Sequence, residues 1–211
     1  MKKTTLEQGG QKMKILLTGF DPFGGESVNP ALEAVKLVKA PVGAELVRLE
    51  VPTVFGRSVA TVLEAMRLHR PDAVVCVGQA AGRGEITPER VAINIMDASI
   101  PDNEGNQPCD EPVYPDGDGA YFSTLPVKAM VEAIRAAGIP AALSNTAGTF
   151  VCNQLMYGLL YHIGREFPGT AGGFIHVPCI PEQAAQMEKP VPSLPLPEIV
   201  RGLEAALSVL L

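Results

Sequence analysis

The chain has 211 residues, of which 46% are hydrophobic and 19% charged, with a formal net charge of −6. That composition excludes a disordered chain, and the negative charge without any basic run argues against a nucleic-acid surface. No apolar stretch approaches the ~20 residues of a membrane span. The length suits one domain, expected over 13–211. Residues 1–12 carry charge but lack the apolar core of a signal peptide, and they read as a tail, with Met13 as an alternative start. The four cysteines, Cys76, Cys109, Cys152 and Cys179, include no CxxC pair, so neither a zinc knuckle nor a dithiol redox motif is indicated. Reduced thiols and a cytoplasmic home are expected.

In chain order, residues 14–19 predict a buried strand that feeds a glycine-rich loop with two aromatics, Phe20 and Phe23. Asn29 and Pro30 then open a helix, as N-cap and first helical residue. Its apolar face is Leu32, Val35 and Val38, with Ala31 beside them. A strand is expected over 45–51 and a helix over 56–69, with Val59, Val62, Leu63 and Met66 inward. Pro71 and Asp72 lead into a continuous apolar strand over 73–78. This alternation predicts an α/β fold: three layers, with a mostly parallel twisted sheet between helices.

A second flexible loop covers 79–85, and 90–95 is strand-like. Residues 97–121 are rich in Pro, Gly, Asp and Asn without helical period, which marks a functional loop or a packed arm. A helix is expected over 123–137, burying Val127, Met130, Val131 and Ile134. A strand over 141–143 follows and delivers a small, polar loop. The next helix buries Leu155, Met156, Leu159, Leu160 and Ile163. A short strand runs over 172–178, and 188–197 is proline-rich and extended. A closing helix from Pro197 turns Ile199, Val200, Leu203, Ala206, Leu207 and Leu210 inward.

Cys152 stands where the loop at 144–151 becomes a helix. With Thr149 as N-cap it falls in the first turn, among unpaired N–H groups at the positive end of the helix dipole. That setting favours the nucleophilic thiolate. The alternative is a small buried cysteine filling space between helix and sheet. In open parallel sheets, ligands collect outside the carboxyl ends of the strands. The loops expected there carry Phe20 and Phe23, Gln79, Cys152 with Phe150, and the region of His176. A thiol nucleophile needs a base. His69 ends a surface helix, and His162 lies ten residues beyond Cys152, about 15 Å along the axis and out of reach. His176, at the end of a short apolar strand, is the candidate; the competing role is a histidine satisfied by a backbone carbonyl. A carboxylate should hold the imidazole tautomer. Glu89 is one candidate, with an ion pair or a cap as its alternative, and Asp21, Asp97 and Asp102 compete. The glycine loop matches neither phosphate-binding fingerprint, since it has no GxGxxG and no GxxxxGK[ST]. Its two rings suit a flat, uncharged group, or one of them packs only in the core.

Five stretches in order resemble the pyroglutamyl-peptidase I family (pyrrolidone-carboxylate peptidases). They are TGFDPFGG at 18–25, ITPERVAIN at 86–94, IPDNEG at 100–105, TAGTFVCN at 146–153 and GFIHVP at 173–178. The resemblance runs from about Met13 to Gln183. It implies a cysteine peptidase that hydrolyses the N-terminal pyroglutamyl residue from peptides through a thioester. It also implies no metal or cofactor and a homotetramer. Cys152 matches the family's nucleophile, His176 its general base and Glu89 the residue that orients the histidine. The implied pocket is Phe20, Phe23, Thr53, Ile100, Phe150 and Val151, with polar contacts to the lactam from Asn29 and the Gln79 loop.

This sequence departs from the family pattern at three places: Ser99 where many members have arginine, Ala81 for a glycine, and Gln154 for a histidine. The competing functional class is a small-molecule binding module or a phosphorylase-like enzyme on a similar scaffold. The missing phosphate loop weighs against it.

Overall fold

The structure is a computed structural model and describes residues 12–211, so all but the last residue of the expected tail lies outside the described residues. Strand β1 (Met13–Phe20), helix α1 (Pro30–Leu37), strand β2 (Ala44–Val51), helix α2 (Arg57–His69) and strand β3 (Ala73–Gln79) follow one another as expected. Asn29 caps α1 by accepting the Ala31 N–H at 3.0 Å, and Pro30 occupies the first turn, where a missing N–H costs nothing.

Next come the short strands β4 (Thr87–Pro88), β5 (Val91–Ile93) and β6 (Ala120–Phe122). Helices α3 (Val127–Ala136) and α4 (Val151–Glu166), strand β7 (Ala171–Val177), and helices α5 (Pro181–Ala184) and α6 (Leu196–Ser208) complete the chain. The main sheet has the order β2-β1-β3-β7-β4, parallel throughout except for the antiparallel β4–β7 pair.

Two expected strands differ. The residues expected over 90–95 shorten to β5, which leaves the main sheet and pairs antiparallel with β6. The buried Asn153 side chain holds that ribbon to α4: it accepts the Ile93 N–H and donates to the carbonyls of Ile93 and Ile95, each at 2.9 Å. The segment expected as a strand over 141–143 forms isolated parallel bridges, Ile86 to Ala141 and Glu89 to Ser144. It pairs along the outer side of the 86–90 segment without a continuous ladder. The 97–121 segment is a packed arm, bridged back on itself at Met96 and Glu111.

The central strands β1, β3 and β7 alternate between two cores. Ile15, Leu17, Val75, Val77, Ile175 and Val177 pack under α1, α3 and α6. Leu16, Phe20, Val74, Cys76 and Phe174 pack under α2 and α4. β1 approaches α1 so closely that a Cβ on Gly19 would sit 2.7 Å from the Leu32 Cα. α4 likewise fits against α2 only because Gly158 has no side chain to meet Val59.

Candidate active site

Strand order reverses at β1, whose two neighbours β2 and β3 lie on opposite sides, and the loops leaving β1 and β3 open a crevice there. The Cys152 helix docks over its rim. Gly78 on β3 pairs in parallel register with His176 on β7, so their side-chain directions share a face. A Cβ on Gly78 would stand 3.0 Å from the Cys152 Sγ. The sulfur therefore rests over Gly78 on β3, on the sheet face to which His176 of the neighbouring strand also points. Glycine is needed at 78 because any side chain would collide with this sulfur and with the Phe174 ring.

α4 begins one residue later than expected. Phe150, not Thr149, is the N-cap, and no side chain caps the helix. The Thr149 hydroxyl instead donates to the Asp97 carbonyl at 2.7 Å and ties the arm to the cysteine loop. Cys152 is thus the second residue of an uncapped helix, whose first N–H groups have no side-chain acceptor.

His176 and Glu89 are a buried pair. Glu89 Oε1 lies 2.7 Å from His176 Nδ1, and the carboxylate is fully buried. Burial works to raise the Glu89 pKa, but His176 above all, with smaller contributions from the Ser144 hydroxyl and the Arg83 guanidinium, outweighs it and holds the carboxyl below its ordinary range. Burial lowers the His176 pKa, and Glu89 only partly offsets this, so the ring is neutral at neutral pH. A carboxylate at Nδ1 fixes the proton there and leaves Nε2 as the acceptor.

The expected thiolate is corrected. Burial and the nearby Glu89 charge push the Cys152 thiol up to about 12, against a smaller opposing pull from Arg83. The residue stays half-buried, and that solvent access limits the penalty. The resting site therefore combines a thiol, a neutral imidazole and a carboxylate, and a proton has to move before the sulfur can act as a thiolate.

The expected pocket residues divide. The Phe23 and Phe150 rings are 6.2 Å apart, and Phe150 also meets the edge of Phe55 at 5.3 Å. These three rings form an aromatic cluster next to the cysteine. Phe20 is buried and stacks toward Phe174 in the core, and Val151 is wholly buried there too. Asn29 is buried and tied to the scaffold: its Oδ1 caps α1 and one Nδ2 hydrogen goes to the Asp21 carbonyl. Thr53 is buried and bonded to Asp21 through both its N–H and its hydroxyl. The Gln79 side-chain amide turns toward Cys179 and Gln183. Ile100 is 43% exposed on the arm. It lies between two ties, Asp97 to Thr149 and Asn103 to Asp21 and Pro22, which bring that stretch to the crevice rim. Ser99 beside it is exposed. Gln154, buried, accepts from the Ser58 hydroxyl at 3.0 Å.

The competing carboxylates serve the scaffold. Asp21 holds Thr53 and Asn103, Asp102 accepts the N–H groups of Phe55, Glu104 and Asn106, and Asp97 is exposed. His162 bonds Glu166 and Tyr114 on the outer face of α4. A neighbouring cleft of about 540 Å3, lined by Phe55, Met96, Glu111 and Gln154 among others, includes none of Cys152, His176 and Glu89. Among the described residues, no three His, Cys, Asp or Glu side chains converge as metal ligands.

Two neighbours of the site were not singled out from sequence. Phe55 lies in the turn between β2 and α2, just before the Gly56 N-cap, and its only signal is an aromatic in a strand-to-helix loop. Arg83 lies between Gly82 and Gly84, six residues before Glu89.

A thiol, an imidazole and a carboxylate at the carboxyl end of a parallel α/β sheet define the class as a cysteine-type hydrolase. The comparisons with known proteins fix the family. The sequence profile of pyroglutamyl peptidase matches residues 13–211, and the chain belongs to that family of cysteine peptidases. It is 56% identical over 200 residues to the pyrrolidone-carboxylate peptidase of Streptococcus suis, covering 94% of this chain and 92% of the relative. The crystal structure of pyroglutamyl peptidase I from Bacillus amyloliquefaciens superposes with a TM-score of 0.90 at 55% identity, over 93% of this chain and 96% of that one. A mutant pyrrolidone carboxyl peptidase from P. furiosus does so with a TM-score of 0.89 at 38% identity, over 93% and 97%.

Proposed function

We propose that the enzyme removes N-terminal pyroglutamyl residues from peptides through a thioester on Cys152, with His176 as base and then acid, and Glu89 as its orienting carboxylate. The observation that carries this reading is the placement of Cys152 Sγ against Gly78, the strand partner of a histidine whose Nδ1 is held by Glu89. As the sulfur attacks the pyroglutamyl carbonyl, its proton passes to His176 Nε2. The carbonyl π pair moves onto oxygen, where the free N–H groups at the start of α4 can receive it, each such donor contributing ~3 kcal/mol. The C–N bond then breaks, and His176 returns the proton to the leaving amine. Water, deprotonated by the same ring, hydrolyses the thioester and regenerates the thiol. Glu89 stays ionised and stabilises the imidazolium formed between these steps.

The Phe23, Phe55 and Phe150 rings support the substrate class. A lactam is flat and neutral, and its single N–H and C=O can be met by backbone. An ordinary N-terminus would bring an unpaired ammonium into this apolar slot, at a cost on the order of several kcal/mol. The test is hydrolysis of a fluorogenic pyroglutamyl amide. Wild-type enzyme should cleave it, and Cys152→Ser should lose roughly 10^4-fold or more in kcat with its thermal midpoint kept. Full turnover in Cys152→Ser overturns the proposal.

A further inference from the structure

Arg83 makes more ties around this site than any group with an assigned role. Its Nη1 donates to Glu89 Oε1 at 2.5 Å and to the Thr87 hydroxyl at 2.6 Å, while Nη2 donates to the Thr146 carbonyl at 2.9 Å. Thr87 is the antiparallel partner of His176, and Thr146 lies in the loop that leads to Cys152. One guanidinium thus touches the orienting carboxylate, the strand beside the base and the approach to the nucleophile.

The backbone is shaped for this. Gly82 adopts a φ of +89°, which an L side chain rarely takes, and a Cβ on Gly84 would stand 3.1 Å from the Pro192 ring. Arg83 and His176 share the same oxygen of Glu89, and the other oxygen, Oε2, is buried without a hydrogen-bond partner. His176 and Arg83 therefore converge on Oε1. Fixed from two sides, that oxygen has little freedom to swing away from Nδ1.

Taking Cys152, His176 and Glu89 in the roles given above, we propose that Arg83 is a positioning residue, whose guanidinium holds the Glu89 carboxylate on His176 and fastens the Cys152 loop across the crevice. The planar fork suits this task because it reaches a side chain and a backbone carbonyl in one geometry, which a lysine ammonium cannot do.

The charge has a second consequence. Glu89 from the segment before β5 and Arg83 from the loop after β3 act on His176, and the same two charges act on the Cys152 thiol of α4, with Cys76 behind the sulfur. Arg83 is the one cation among them. It disfavours the imidazolium directly and favours the ionised thiol. Its removal should let His176 hold a proton to higher pH, so the acid limb of kcat/KM moves up.

The experiment compares wild type, Arg83→Gln, Arg83→Lys and Cys152→Ser on the pyroglutamyl amide from pH 5 to 9, with thermal midpoints recorded alongside. Arg83→Gln should lose roughly 10- to 100-fold in kcat, the scale of a modest misplacement of catalytic groups, with KM within about threefold and the acid limb displaced upward. Arg83→Lys should recover part of the rate and return the limb toward wild type, since it keeps the charge but not the fork. An acid limb that does not move in Arg83→Gln overturns the inference, whatever the rate. Should Arg83→Gln fail to fold, the same reading passes to Arg83→Lys: a lower kcat at unchanged KM supports it, and wild-type kcat overturns it. Turnover by Cys152→Ser, or an inert wild type, would instead overturn the cysteine-peptidase mechanism itself.

Discussion

On the side packed by α1, α3 and α6, the central strands present Ile15, Leu17, Val75, Val77, Ile175 and Val177, all aliphatic and sealed. On the side packed by α2 and α4, the same strands present Leu16, Thr18, Phe20, Cys76, Gly78, Phe174 and His176. Strand periodicity places these two sets one residue apart, so stability and chemistry are carried by adjacent positions of the same strands. The first face gives up burial and nothing else when altered. The second holds a hydroxyl, a sulfur, an imidazole and a glycine gap, and polar groups accumulate toward the carboxyl ends where α4 leaves room.

Substitutions that keep volume but change charge should separate the faces most sharply. Glu89→Gln puts an amide donor against Nδ1 and favours the wrong tautomer, so kcat should fall roughly 10^4-fold, measured with the fluorogenic amide. Gly78→Ala inserts one methyl group between β3 and the sulfur. It should lower kcat by about 10^2-fold through displacement of Cys152 and cost ~1–3 kcal/mol by overpacking. Ile175→Ala, one residue from His176 but on the other face, should cost about 2–5 kcal/mol in urea unfolding. Its kcat at 25 °C should stay at the wild-type value, and a loss as large as that of Gly78→Ala would break the division between faces.

The smallest effect is a pH dependence of stability. Burial pushes the Cys76 thiol from an ordinary 9.0 up to about 12. The folded chain keeps this proton while the unfolded chain releases it, so the contribution is whole below pH 9 and is lost as the pH rises toward 12. Thermal midpoints between pH 9 and 11 should fall less steeply in Cys76→Ala than in wild type. At the other end, the lowered pKa of His176 places the acid limb of wild-type kcat/KM below the 6.5 of an ordinary histidine.

Much of this was legible in the chain itself. Continuous apolar runs at 14–19 and 73–78, separated by helices with inward faces at 3.6 spacing, determine a parallel α/β sheet, because only strands covered on both sides can be apolar throughout. The same uniformity conceals which side each residue takes, so the pairing of Gly78 with His176 on the face of Cys152 could not be read from the run. The capping of α1 by Asn29 was legible because it is local, spanning two residues. The start of α4 was not, because Thr149 spends its hydroxyl on Asp97, 52 residues away in sequence.

By itself, then, the sequence determined the layers, the order of elements and the residue types from which a thiol hydrolase can be built. Only the tertiary structure decided the protonation of those groups and their supports. Burial over the carboxyl end of β3 outweighs the helix start, which the sequence favoured as the source of a thiolate, and pushes the Cys152 pKa up. The tie from Arg83 to Glu89, Thr87 and Thr146 joins two loops that are 63 residues apart at their farthest contact. Desolvation and long-range hydrogen bonds depend on what surrounds a side chain in space, and local spacing carries no record of that.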